Sequence, residues 1–131
     1  MLFRSASPND KQGVIGVIGT LEMQKGQSFA LQVLSVLNRG RAKKVILRFI
    51  GSDPFNFGSQ LKDEANLLGV AKNVEFCGIL TSRKAIYTGL DLVLIPSSVR
   101  ESFCLVAIEA LAEGVPVIAS SAGALPEVLE G

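Results

Sequence analysis

Leu92-Val-Leu-Ile-Pro96 and Val115-Pro-Val-Ile-Ala119, joined by Glu101-Ser-Phe-Cys-Leu-Val-Ala-Ile-Glu-Ala-Leu-Ala-Glu-Gly114, decide the fold of this chain. The two outer runs are short, and their apolar residues follow one another without polar alternation. Each therefore reads as a strand buried on both faces. The middle segment is an apolar run bracketed by carboxylates and reads as a helix stopped by Gly114, the residue best suited to end one. Strand, helix and strand in this order make a crossover unit, which is right-handed and places its strands parallel.

The same alternation runs back through the chain. Gly13–Gly19 is a β-branched apolar run and reads as the first strand. Gly26–Asn38 places Phe29, Ala30, Val33, Leu34 and Leu37 at helical spacing, with Gly40 as its C-cap. Lys44–Ile50 is the second strand, with the turn Gly51-Ser-Asp-Pro54 after it. Ser59–Leu68 is a helix stopped by Gly69, Asn73–Cys77 a third strand closed by Gly78, and Ser82–Thr88 a short helix. Leu125–Leu129 begins a last helix. The expected architecture is α/β: a doubly wound, Rossmann-like parallel sheet with helices on both sides. Residues 13–131 form this domain, and residues 1–12 are a loose polar lead-in.

Composition narrows the function. A chain of 131 residues, 48% hydrophobic, is long enough for one core and too apolar for disorder. No apolar run is long enough to span a membrane, and no signal peptide is evident. The net charge of +1 gives no basic field for nucleic acid. Cys77 and Cys104 form no metal-binding spacing, so we read them as reduced thiols of a cytoplasmic protein. The chain has no histidine, which leaves carboxylates, Lys, Arg and backbone dipoles for chemistry.

Ligands of doubly wound sheets bind outside the carboxyl ends of the strands. Here those ends are Gly19–Lys25, Gly51–Asp53, Gly78–Leu80, Pro96–Glu101 and Ser120–Gly123. Gly13, Gly16 and Gly19 do not make a dinucleotide fingerprint, and no acidic residue ends the second strand. Glu101 and Glu109 either face the same general way two turns apart on the helix or, if Glu101 lies on the entry loop, bracket the helix start, where N–H groups suit phosphate and carboxylates suit sugar hydroxyls. Alone, both carboxylates read equally well as solvated surface charges, and Lys25 as a solvated lysine beside a helix start. Asp91 reads as a cap or a turn residue.

The order of the short motifs is more informative than any one of them. Gly19-x-Leu-x-x-x-Lys25-Gly26, Ile50-Gly51, Val74-x-Phe76-x-Gly78, Tyr87…Asp91, Pro96-Ser97, Glu101-x-Phe103…Glu109-Ala-Leu-Ala-x-Gly114-x-Pro116-Val117 and Gly123…Pro126-Glu127 together resemble the nucleotide-sugar half of the family 4 retaining glycosyltransferases. That resemblance implies the GT-B architecture, in which two Rossmann-like domains face a cleft. This chain corresponds to the second, cut short at its C-terminus.

The resemblance also implies roles. Lys25 neutralises the donor diphosphate, Glu101 orients the donor sugar and Glu109 binds ribose hydroxyls. Backbone N–H groups of Ser102, Phe103, Cys104 and Leu105 meet the diphosphate or sugar. Phe76, Gly78 and Leu80 hold the base, and Gly19, Thr20 and Gly51 line the donor. No metal or other cofactor is expected. The implied partners are the nucleotide-sugar donor and an N-terminal acceptor domain of the same protein. Peripheral membrane association of the full-length enzyme and self-association of the fragment through an uncovered apolar face are compatible with it. The isolated fragment would be inactive.

Two departures bear on donor binding. Many members have Arg at Thr20, which strengthens the charge clamp, and Gly at Cys104, which would be strained if its φ were positive. A Cys104→Gly change is therefore expected to preserve or improve donor binding. The alternative function is a nucleotide-binding or regulatory module without transfer activity. A sugar-nucleotide epimerase and a plain interaction domain are further readings that fit the motif order less well.

Overall fold

The computed structural model describes residues 12–96 and 104–119. Nine elements alternate along it: β1 (Val14–Ile18), α1 (Gln27–Asn38), β2 (Ile46–Ile50), α2 (Phe57–Leu68), β3 (Val74–Phe76), α3 (Arg83–Tyr87), β4 (Leu92–Ile95), α4 (Cys104–Ala112) and β5 (Val117–Ala119). The strands form one parallel sheet in the order β3-β2-β1-β4-β5. Strand order reverses direction at β1, which makes the β1/β4 junction the topological switch point.

Apolar side chains from the two sheet faces build two cores. On one face Leu31 and Leu34 of α1 and Leu61 and Ala65 of α2 close over Ile15, Leu47 and Phe49. On the other, Tyr87, Ala107 and Ala110 pack with Val93, Ile95 and Ile50. Both faces of β1 and β4 are thus largely dry, as their unbroken apolar sequences require, while in β2 Arg48 interrupts the run and pairs with Glu75 of β3.

Buried polar side chains join the elements where backbone pairing ends. Asn38, at the end of α1, donates from Nδ2 to the Val45 carbonyl (3.0 Å) and accepts at Oδ1 from Val45 N–H (2.7 Å). Its amide thus pairs with the chain just before β2 as a neighbouring strand would. Asp91 is buried too. Its Oδ2 accepts from Val14 N–H at 2.9 Å, and its own N–H donates to the Val14 carbonyl at 2.8 Å. It therefore fixes the start of β4 beside the start of β1.

Helix α2 starts two residues earlier than the apolar pattern suggested. Asp53 causes this: its Oδ1 accepts from Phe57 N–H and its Oδ2 from Gly58 N–H, satisfying two end groups of the helix. The C-cap of α1 is Arg39, and Gly40 follows it with φ +74°. A 3-10 turn over Ala71–Asn73, which the apolar pattern does not announce, leads into β3. The expected helix Leu125–Leu129 lies outside the described residues.

The α1 side of β4 and β5 lacks a covering helix among the described residues. A groove of about 620 Å³ runs there between Phe29, Val33 and Leu37 of α1 and Leu94, Val117 and Ile118 of the sheet. Phe29 and Ile118 are more than half exposed, as are Leu105, Ile108 and Leu111 on α4. Among the described residues, no helix is long and apolar enough to cross a membrane.

Candidate functional site

Loops after β1, β2 and β3 stay paired beyond the strands. Cys77 N–H donates to the Phe49 carbonyl (2.9 Å), Gly51 N–H to the Gly78 carbonyl (2.8 Å), Gly19 N–H to the Ile50 carbonyl (2.8 Å) and Leu21 N–H to the Ser52 carbonyl (2.9 Å). The three loops therefore form a continuous shelf. Glycine at 51 is a steric requirement of that shelf. Its φ is +151°, and a Cβ there would stand 2.0 Å from the Gly19 carbonyl oxygen.

A concavity of about 270 Å³ opens on this shelf, lined by Gly19, Thr20, Gly51, Ser52, Leu80 and Ile86, among others. A second, of about 480 Å³, shares Gly51 and Ser52 and continues to Asp53, Lys62, Phe76 and Gly78. Phe76 packs on Phe49 with ring centroids 5.3 Å apart, and Lys62 Nζ stands 5.2 Å from the Phe76 ring centroid. Six of the expected donor residues thus fall on one shelf. The apolar groove beside β4 and β5 is larger, but it offers no comparable set of polar groups.

Lys25 ends a 3-10 turn, Met23–Lys25, rather than sitting in α1 itself. Gly26 follows with φ +83°, and a Cβ on it would stand 2.2 Å from the Pro96 carbonyl oxygen. The loop carrying Lys25 is therefore pressed against the end of β4. Lys25 does not line the shelf. It lines a recess of about 20 Å³ with Gln27, Ile18, Ile95 and Pro96, at the topological switch point.

Gln27, the first residue of α1, is a buried polar contact of the shelf that the sequence motifs did not reveal. It is 1% exposed. Its Nε2 donates to the Thr20 carbonyl at 3.0 Å, while its Oε1 is buried with no hydrogen-bond partner among the described residues. The side chain ties the shelf residue Thr20 to the first turn of α1. A signal was present: Gln27 stands in register with Ala30, Leu31 and Leu34, on the buried stripe of α1.

Glu109 lies in α4 and lines neither shelf concavity. It meets the site through α3. Glu109 Oε1 accepts a hydrogen bond from the Tyr87 hydroxyl at 3.2 Å, and Ile86, the residue before Tyr87, lines the concavity. One turn away, Arg83 Nη1 of α3 stands 3.6 Å from Glu113 Oε2, just beyond the end of α4. Tyr87 is 4% exposed, and burial pushes its phenol well above the ordinary tyrosine range, with the Glu109 charge and hydrogen bond adding to the effect.

Leu105 is exposed on α4, and Cys104 is the first residue of that helix. Among the described residues, Asn56 is the only non-glycine with positive φ. The left-handed strain considered for Cys104 is therefore absent, because its backbone is helical. Glu101, Ser102 and Phe103 lie outside the described residues.

A parallel sheet flanked by helices, with a glycine-lined shelf at its carboxyl ends, places the chain in the Rossmann-like class. The family model of the glycosyl transferases group 1 matches residues 2–130, and the chain belongs to that family. It is 37% identical over 130 residues to an uncharacterised glycosyltransferase of Methanocaldococcus jannaschii, covering 97% of this chain and 32% of that protein. Among solved structures, the C-terminal domain of a glycosyl transferase group 1 protein of Francisella tularensis is 30% identical, with a TM-score of 0.74 over 88% of this chain and 61% of that one. The Anabaena protein HepE, solved in complex with UDP and glucose, is 27% identical, with a TM-score of 0.79 over 88% of this chain and 31% of that one. The chain spans about a third of the length of the curated relatives it matches, 32% of the M. jannaschii protein.

Proposed function

We propose that this chain is the donor-binding half of a retaining glycosyltransferase, whose acceptor is held by a further, N-terminal domain of a longer protein. The shelf carries this reading: Gly19, Thr20, Gly51 and Leu80 converge on one concavity at the strand ends, where doubly wound sheets bind ligands. The likeness to a protein crystallised with UDP and glucose supports a nucleoside diphosphate sugar as the ligand. The likeness to a C-terminal domain of the same family supports the place of this chain in the longer protein.

In this reading Phe76, Gly78 and Leu80 take the base, Glu109 accepts from ribose hydroxyls, and Lys25 stands against the diphosphate. As the motif resemblance implies, backbone N–H groups of Ser102, Phe103, Cys104 and Leu105 complete the anion site, and Glu101 orients the sugar. The reaction breaks the bond between the sugar anomeric carbon and the diphosphate oxygen. A bond from an acceptor oxygen forms on the same face, and the acceptor proton passes to the departing diphosphate. Negative charge accumulates on the departing diphosphate, so preorganised cations and N–H dipoles at that end lower the barrier. The chemistry proposed for these residues calls on no metal ion.

A thermal-shift series with UDP, GDP, ADP, UDP-glucose and GDP-mannose tests the reading. Ligands that bind only the folded state raise Tm. One base should raise it clearly, and Glu109→Ala should abolish most of the shift. Equal indifference to all five ligands would contradict donor binding.

A further inference from the structure

Helix α3 meets the α4 segment through two polar contacts spaced one turn apart. Tyr87 pairs with Glu109, and Arg83, four residues before Tyr87, pairs with Glu113, four residues after Glu109. The two contacts differ in kind. Arg83 and Glu113 are both substantially exposed, so their ion pair is screened and worth little. Tyr87 is buried in the core with Leu90, Val93, Ala107 and Ala110, so its ring has one place to sit.

Its hydroxyl stands 3.2 Å from Glu109 Oε1 and 3.4 Å from the Val106 carbonyl on the same helix. One proton thus serves two acceptors on α4, the nearer being the carboxylate. Burial favours the neutral phenol. A neutral phenol is a hydrogen-bond donor, and a donor to a carboxylate fixes which way its oxygens face. Among the described residues, Glu109 Oε2 makes no hydrogen bond. One oxygen is therefore anchored from the protein side, and the other remains for a ligand.

We infer that Tyr87 is a positioning residue for nucleotide recognition: it holds the Glu109 carboxylate in the orientation that accepts ribose hydroxyls. This rests on the donor-binding reading of Glu109 proposed above. A glutamate has three side-chain torsions, and without an anchor it must be ordered each time a ligand binds. Tyr87 removes that cost by holding the carboxylate beforehand. It touches neither the reacting atoms nor the ribose.

The experiment is calorimetric binding to the 131-residue chain of UDP, GDP and ADP, and of the 2′-deoxy form of whichever binds tightest. Wild type, Tyr87→Phe, Glu109→Ala and the double variant are compared. Tyr87→Phe keeps the ring and loses only the hydroxyl. It should weaken binding of the ribonucleotide about five- to tenfold, the scale of ordering one long side chain on binding. It should have little effect in the Glu109→Ala background, and little on the 2′-deoxy ligand. A change acting only through stability would lower Tm without this non-additivity. Full affinity in Tyr87→Phe, with a loss in Glu109→Ala, overturns the positioning role and leaves the donor reading intact. Full affinity in Glu109→Ala, or no binding of any of the three nucleotides, overturns the donor reading and this inference with it.

Discussion

Gly26 approaches Pro96 so closely that a side chain at residue 26 has no room: a Cβ would stand 2.2 Å from the Pro96 carbonyl oxygen. This contact presses the loop bearing Lys25 onto the end of β4, across the topological switch point. Lys25 owes its place to a neighbour without a side chain and to a proline that ends the adjoining strand.

Gly26→Ala should therefore cost more than the conformational strain of an alanine at positive φ. Gly40 provides the comparison, because its φ is +74° and a Cβ there would meet nothing within 4 Å beyond its chain neighbours. We expect Gly40→Ala to lose about 1 kcal/mol in urea denaturation, the strain of a left-handed alanine alone. Gly26→Ala should lose at least about 2 kcal/mol, since backbone must also move. Equal losses in the two variants would contradict the packing described.

Asn38 should matter for stability and not for ligand binding. Its amide makes two hydrogen bonds to Val45 in a buried setting, at the end of α1 away from the shelf. Asn38→Ala leaves a backbone N–H and a carbonyl without those partners, a loss of about 3 kcal/mol. Denaturant midpoints would show this, while nucleotide affinity measured well below Tm stays unchanged. A variant as stable as wild type would show that water replaces the amide there.

Tyr87 gives a direct spectroscopic check on its own surroundings, because the chain has one tyrosine and no tryptophan. Burial, then the Glu109 charge and hydrogen bond, raise its folded pKa above the ordinary value of about 10. A raised folded pKa means that the folded state holds the proton more tightly. The resulting stability is fully present below pH of about 10 and is lost as pH rises toward the folded value. Phenolate absorbance should therefore lag that of free tyrosine. Glu109→Gln should reduce the lag without abolishing it, since burial is the larger cause. Titration at the ordinary value in wild type would contradict the buried contact.

Much of the fold was legible because it depends on patterns that burial imposes. Unbroken apolar runs at Val14–Ile18 and Leu92–Ile95 announced strands dry on both faces, Ile46–Ile50 follows the same pattern interrupted only by Arg48, and the alternation with helices implied a parallel sheet. Boundaries were less legible where a side chain, not the apolar pattern, sets them. Asp53 starts α2 from four residues upstream, and Lys25 falls in a 3-10 turn that has no apolar period of its own.

The candidate site was legible as a set of motifs and not as a mechanism. Gly19, Thr20, Gly51 and Leu80 meet because strand ends of one sheet must meet. The pairing of Tyr87 with Glu109 joins residues 22 apart on different helices, which no local pattern reports. Asp91 reads as a turn residue by composition, yet it is a buried tie between β1 and β4. The strain considered at Cys104 depended on a backbone angle that residue type alone does not set, and the helix there removes it.

The most direct test of the account is amide chemical-shift mapping of the 15N-labelled chain titrated with UDP, GDP and ADP in turn. The account predicts that one of them perturbs a connected set at the strand ends: Gly19, Thr20, Gly51, Leu80 and Glu109. Perturbations confined to Phe29, Val33 and Ile118 along the apolar groove, or none with any nucleotide, would contradict it.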